Sequence, residues 1–112
     1  MVAGYIPDRG DIVWLNFSSQ QGHEQAGMCP AIVLSPKSYN QNSKLMLACP
    51  ITSKIKHYPF EVRIKSNGID GVILADQVKN LDWTMRNMSF AEKAPYEVLE
   101  QTQELIVALL KD

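Results

Sequence analysis

The sequence has two cysteines, Cys29 and Cys49. They match no metal-ligand spacing and no disulfide framework, so each reads as a small buried hydrophobe. No apolar run approaches the ~20 residues that a membrane span requires. The opening residues, Met-Val-Ala-Gly-Tyr-Ile-Pro-Asp-Arg, lack the basic-then-apolar layout of an export signal, and the expected location is cytoplasmic. There is no glycine-rich phosphate loop, metal-ligand cluster, internal repeat, linker or low-complexity tract, so neither a cofactor nor a metal is expected. Neither sign of charge dominates: 11 Lys and Arg stand against 12 Asp and Glu. That balance argues mildly against a protein that grips nucleic acid over its whole surface.

What is present is an ordinary globular composition. With 112 residues, 46% hydrophobic and 21% charged, one domain spanning 1–112 with a real core is expected. Charge is unevenly placed. Lys54, Lys56, His57, Arg63 and Lys65 crowd the middle, while Glu97, Glu100 and Glu104 gather near the end. A local basic face can hold phosphate within a neutral total. Lysines that keep a strand edge from pairing with other chains explain the same cluster.

Asp11 to Phe17 reads as a strand, with Trp14 in the core. A polar loop from Ser18 follows, carrying Glu24 between Gly22 and Gly27, and feeds an apolar strand over Ala31–Ser35. Lys37 to Lys44 has turn composition. A strand over Leu45–Ala48 is expected to be broken by Pro50. Thr52 and Ser53 lie just past the break, their hydroxyls either free of the ladder or bonded to nearby backbone. Phe60, Val62 and Ile64 alternate with Glu61 and Arg63, a half-buried strand, and Ser66-Asn67-Gly68 signals a hairpin turn. Gly71–Ala75 makes a further strand, interrupted at Asp76-Gln77, before short strands over Val78–Leu81 and Trp83–Met88. The period then changes. From Pro95, the residues Val98, Thr102, Leu105 and Leu109, joined by Leu99, Ile106 and Leu110, trace one amphipathic helix packed on the sheet. Ser89-x-x-Glu92 mimics a capping box but precedes Pro95, so it does not start that helix. Many short strands followed by one helix predict a small, mostly antiparallel barrel with the helix against it.

The stretch Gly22 to Pro36, Gly-His-Glu-Gln-Ala-Gly-Met-Cys-Pro-Ala-Ile-Val-Leu-Ser-Pro, resembles the signature of the MazF/PemK family of toxin endoribonucleases. That signature runs Gly-x-Glu-x-x-Gly-x-Arg-Pro into an apolar strand, and only the arginine is changed, to Cys29. Further segments resemble the family in the same order: Tyr5–Trp14, Pro50–Ser53, Tyr58–Val62, and Leu74–Lys79 with Trp83 and Arg86 behind it. The resemblance implies an SH3-like barrel, a homodimer, and the toxin half of a type II toxin–antitoxin pair with a MazE-like antitoxin. It also implies sequence-specific, metal-independent cleavage of single-stranded RNA to 2′,3′-cyclic phosphate and 5′-hydroxyl ends. By position, Thr52 is the hydroxyl at the phosphate, Glu24 accepts a proton or orients its neighbours, and Cys29 stands in the arginine's place. Asn16, Ser53, Lys54, Lys56, Gln77, Lys79 and Arg86 are the expected RNA contacts.

Cys29 bears directly on activity. A guanidinium offers fixed charge and five donors, whereas a thiol offers one weak donor. Attenuated cleavage is therefore expected, either in a natural member with altered chemistry or, the favoured reading, in a disabled variant. Three alternatives remain: a binder of RNA or antitoxin that no longer cuts, a gyrase poison on the same barrel, and a His23–His57 acid–base pair. The Leu-Leu-Lys-Asp terminus differs from the Trp-Gly-Ile type ending of the gyrase poisons.

Overall fold

The computed structural model describes residues 4–17 and 27–111. Glu24 and His23 lie outside the described residues. The elements run β1 (Asp11–Phe17), β2 (Gly27–Val33), α1 (Lys37–Ser43), β3 (Leu45–Thr52), β4 (Glu61–Lys65), β5 (Asp70–Leu74), β6 (Lys79–Asp82), a single 3₁₀ turn (Trp83–Met85), β7 (Ser89–Lys93) and α2 (Tyr96–Lys111). The strands form a curled antiparallel half-barrel in the order β4-β5-β3-β2-β1-β7, with β6 on the free edge of β3. The mostly β architecture with a terminal helix is as the sequence pattern predicts.

Strand β3 is the hub. One edge pairs with β2, from Ala31 with Pro50 to Val33 with Ala48. The other edge pairs with β6 over Leu45–Ala48 and then with β5 at Ile51 and Thr52. Pro50 does not end the strand. It falls where the second edge changes partner, a place where a missing N–H removes no ladder bond.

Because alternate residues point to opposite faces, the strands fill two cores. Val13, Leu15, Cys29, Ala31 and Met46 belong to one, with Trp83 and Met88. Ile12, Ile32, Cys49, Ile51 and Ile73 belong to the other, against which Val98, Leu99, Leu105 and Ile106 of α2 pack. Leu109 and Leu110 do not join them and remain exposed, the latter at 79%. Among the described residues, no helix is long and apolar enough to cross a membrane.

Lys37–Ser43 is helical rather than a turn. Asn40 is fully buried, its amide donating to the carbonyls of Pro7 at 2.8 Å and Ser35 at 3.0 Å. Tertiary bonds thereby convert a turn-forming asparagine into a helix anchor. The helix closes on Lys44 in the left-handed region, φ 65°. Trp83–Met88 is likewise not a strand. Asp82 accepts from the Thr84 N–H at 2.9 Å, and the Trp83 indole donates to the Asn40 carbonyl at 3.0 Å, which winds the chain into the 3₁₀ turn. The strand forms later, over Ser89–Lys93, on β1.

Candidate functional site

The site arises where β2 and β3 part. Their pairing stops at Ala31 and Pro50, although the same register continued would set Cys29 across from Thr52. Instead β3 turns onto β5, and a groove of about 370 Å³ opens between the strands. Trp14, Met28 and Pro30 form one wall, and Ile51, Thr52, Ser53 and Lys54 the other. Trp14 is 37% exposed, not a core residue as its strand position suggests. It sits opposite Pro30 on the outer face of β1 and β2, which leaves one side of the indole open to the groove.

Cys29 also lines this groove, but its side chain is only 6% exposed and packs in the core with its cross-strand neighbour Leu15. The thiol therefore sits at the groove's inner wall, on the face opposite to exposed Met28.

Thr52 is held from both sides. Its Oγ1 accepts the Lys54 N–H at 3.2 Å, a small side-chain turn that starts the loop over 53–60. Behind it, a Cβ on Gly71 would lie 2.1 Å from the Thr52 carbonyl oxygen. Only glycine lets β5 approach so closely. Arg63 bonds the Gly71 carbonyl at 2.8 Å and fixes β5 in that place.

Beyond Thr52 and Lys54 lies a second groove of about 370 Å³, also bounded by Lys56, Tyr58, Phe60, Glu61, Leu74, Asp76 and Gln77. Glu61 shapes it: its carboxylate accepts the His57 N–H at 2.9 Å and the Lys56 N–H at 3.2 Å. That bond accommodates His57 at φ 62°. The Lys56 ammonium then lies 5.8 Å from the centre of the Tyr58 ring. Beneath Ala75, burial pushes the Cys49 thiol up to about 12, with Asp76 adding to the effect. Cys49 is thus no nucleophile at neutral pH.

The structure brings Cys29, Thr52, Ser53 and Lys54 to the first groove, and Thr52, Lys54, Lys56 and Gln77 to the second. Asn16, Arg86 and Lys79 line neither. Asn16 and Arg86 brace each other: the Asn16 N–H donates to the Arg86 carbonyl at 3.0 Å, and the Arg86 guanidinium donates to the Asn16 carbonyl at 2.9 Å. Lys79, at the start of β6, pairs with Ala48 of β3. His57 lines neither groove, and His23 is outside the described residues. Among the described residues, no three His, Cys, Asp or Glu side chains gather as metal ligands.

Sequence reasoning missed Trp14, Tyr58 and Gly71 as site residues. Only Gly71 carried a usable signal, since glycine inside a strand marks close backbone approach.

Comparison with known proteins adds the lineage. Residues 8–110 match a family described as PemK-like, MazF-like toxin of type II toxin-antitoxin system. The chain is 49% identical over 86 residues to the endoribonuclease toxin MazF of Escherichia coli K12, covering 77% of this chain and 78% of that protein. It resembles crystalline MazF from Deinococcus radiodurans with a TM-score of 0.92 and 48% identity, over 96% of this chain and 99% of the other. It resembles the toxin chain in a MazE–MazF crystal from the same organism with a TM-score of 0.85 and 48% identity, over 95% and 96%.

Proposed function

The chain belongs to the PemK-like, MazF-like family of toxins of type II toxin–antitoxin systems, and on that premise we propose that it is a cytoplasmic endoribonuclease acting on single-stranded RNA. One domain, residues 1–112, carries the activity. The observation that carries this reading is the Thr52–Lys54 segment. It places a hydroxyl and a cation between two grooves, with the exposed Trp14 indole beside one and Tyr58 beside the other. Stacking rings beside a cation suit an unpaired strand, whose bases are splayed out.

The reaction needs no group beyond the RNA and the protein. The 2′-oxygen attacks the adjacent phosphorus as its proton leaves. The bond to the 5′-oxygen breaks, and that oxygen takes up a proton, leaving a 2′,3′-cyclic phosphate and a free 5′-hydroxyl. Thr52 and Ser53 donate to the phosphate oxygens, with Lys54 and Lys56 compensating charge. Glu24 serves as the proton acceptor or orienting group. Cys29, where the family pattern has arginine, supplies no charge, so the chain cuts slowly. Gln77 contributes to base contact, while Asn16, Lys79 and Arg86 lie along the strand's outer path.

The toxin works as a homodimer and is silenced by a MazE-like antitoxin whose acidic segment covers the same face. The E. coli and D. radiodurans relatives are named as MazF, and the latter also crystallises as MazE–MazF. The deciding experiment is RNA digestion in EDTA by this chain and by Cys29→Arg, with mapping of the ends. Slow cleavage accelerated by the substitution supports the assignment. Equal rates would sink the role given to position 29, and no cleavage by either would leave a binder in place of a nuclease.

A further inference from the structure

The second groove contains a carboxylate that the cleavage chemistry does not use. Asp76, in the turn after β5, lines the groove and is exposed. Its charge acts on the buried Cys49 thiol, but among the described residues no hydrogen bond or ion pair engages it. Glu61, the other acid in the groove, is consumed by the backbone N–H groups of Lys56 and His57. Asp76 is thus the one acid of this groove available to a ligand among the described residues.

The surroundings limit what that ligand can be. Tyr58, 59% exposed, together with Phe60 and Leu74 offers flat apolar wall. Lys54 and Lys56 set positive charge beside it. An ionised carboxylate only accepts hydrogen bonds and repels phosphate. Asp76 therefore opposes the RNA backbone and gains only by facing N–H donors on a base. Adenine, cytosine and guanine each carry an exocyclic amine on the edge left open in a single strand. Uracil flanks its single N–H with two carbonyl oxygens, which a carboxylate repels.

We infer that the second groove is a base-selecting subsite, in which Asp76 accepts from the exocyclic amine of one nucleotide and disfavours uracil there. Tyr58 stacks on that base, and Lys54 and Lys56 hold its flanking phosphates. This inference rests on the proposal that single-stranded RNA is the substrate.

The test uses a 2′-fluoro RNA library, randomised over ten positions and resistant to cleavage. It is selected on the unmodified chain, on Asp76→Asn and on Tyr58→Ala, and the retained RNA is sequenced. For the unmodified chain, uracil should be depleted at one position by roughly 5- to 100-fold. Asp76→Asn should abolish that depletion and leave preferences elsewhere unchanged, whereas Tyr58→Ala should weaken retention without restoring uracil. Equal uracil frequencies for the unmodified chain and Asp76→Asn at every position would overturn the inference while leaving RNA binding intact. Failure of the unmodified chain to retain any RNA would overturn the substrate assignment and this inference with it.

Discussion

The Cβ that Gly71 lacks would stand 2.1 Å from the Thr52 carbonyl oxygen and 2.8 Å from its carbonyl carbon. The obstacle is backbone and cannot swing aside. Gly71→Ala should therefore push β5 off β3 at the base of both grooves. A clash of this kind costs about 1–3 kcal/mol, a fall in Tm of roughly 5–20 °C for a domain this size. In a Cys29→Arg background it should also lower kcat by displacing Thr52. A melting curve that matches the parent would show that the sheet absorbs the side chain.

Thr52→Ala removes one exposed side-chain bond, to the Lys54 N–H. Such a bond contributes about 0.5–1.5 kcal/mol, so Tm should move little. Loss of a donor aimed at developing charge costs ~10²–10³ in rate. Assayed with arginine at position 29, Thr52→Ala should show that loss and Thr52→Ser should recover most of it. Unfolding in place of slow chemistry would make the hydroxyl a turn anchor.

At position 29, stability and activity are expected to pull in opposite directions. Cysteine fits a site that is 6% exposed beside Leu15 and Ala31. An arginine must thread its stem through that wall to bring its guanidinium to the groove. Overpacking predicts a loss of about 1–3 kcal/mol for Cys29→Arg, together with faster cleavage. Denaturant titration checks the first part, and a variant at least as stable as the parent would contradict it.

Asp8 links the fold to pH. Its carboxylate accepts the Lys37 N–H at 2.9 Å, satisfying the first N–H of α1, and the Arg9 N–H at 2.8 Å. The Lys37 bond is the largest influence holding its pKa below the ordinary value; burial opposes it, and the Arg9 bond, Lys93 and the Lys37 charge assist. A depressed folded-state pKa means the contribution is present above the unfolded value, near 4. It is lost as pH falls through the folded value. Asp8→Asn imitates the protonated form. The stability gap between parent and variant should be widest at neutral pH and close as pH falls below about 4. A gap independent of pH would rule out ionisation of Asp8 as its cause.

Local signals predicted β1 to the residue, the β4–β5 hairpin and the start of α2, because each is set by strand-favouring residues, a turn sequence or proline at a helix start. The Pro50–Ser53 segment stood out through its family likeness and through a break expected at Pro50, but β3 runs on through Pro50 to Thr52. Other assignments needed the tertiary structure. Lys37–Ser43 has turn composition and becomes helical because Asn40 finds carbonyl partners from Pro7 and Ser35. Trp14 looks like core because an aromatic within an apolar strand normally is, yet the parting of β2 from β3 leaves its face uncovered. Pro50 looks like a strand end, but β3 changes partners there, and only a second sheet edge makes that possible. Composition and local signals thus determined β1, the β4–β5 hairpin and α2, since those depend on neighbours in sequence. The grooves, the turn at Thr52 and the glycine behind it were decided by which strand edges meet, a matter of contacts between residues far apart in the chain.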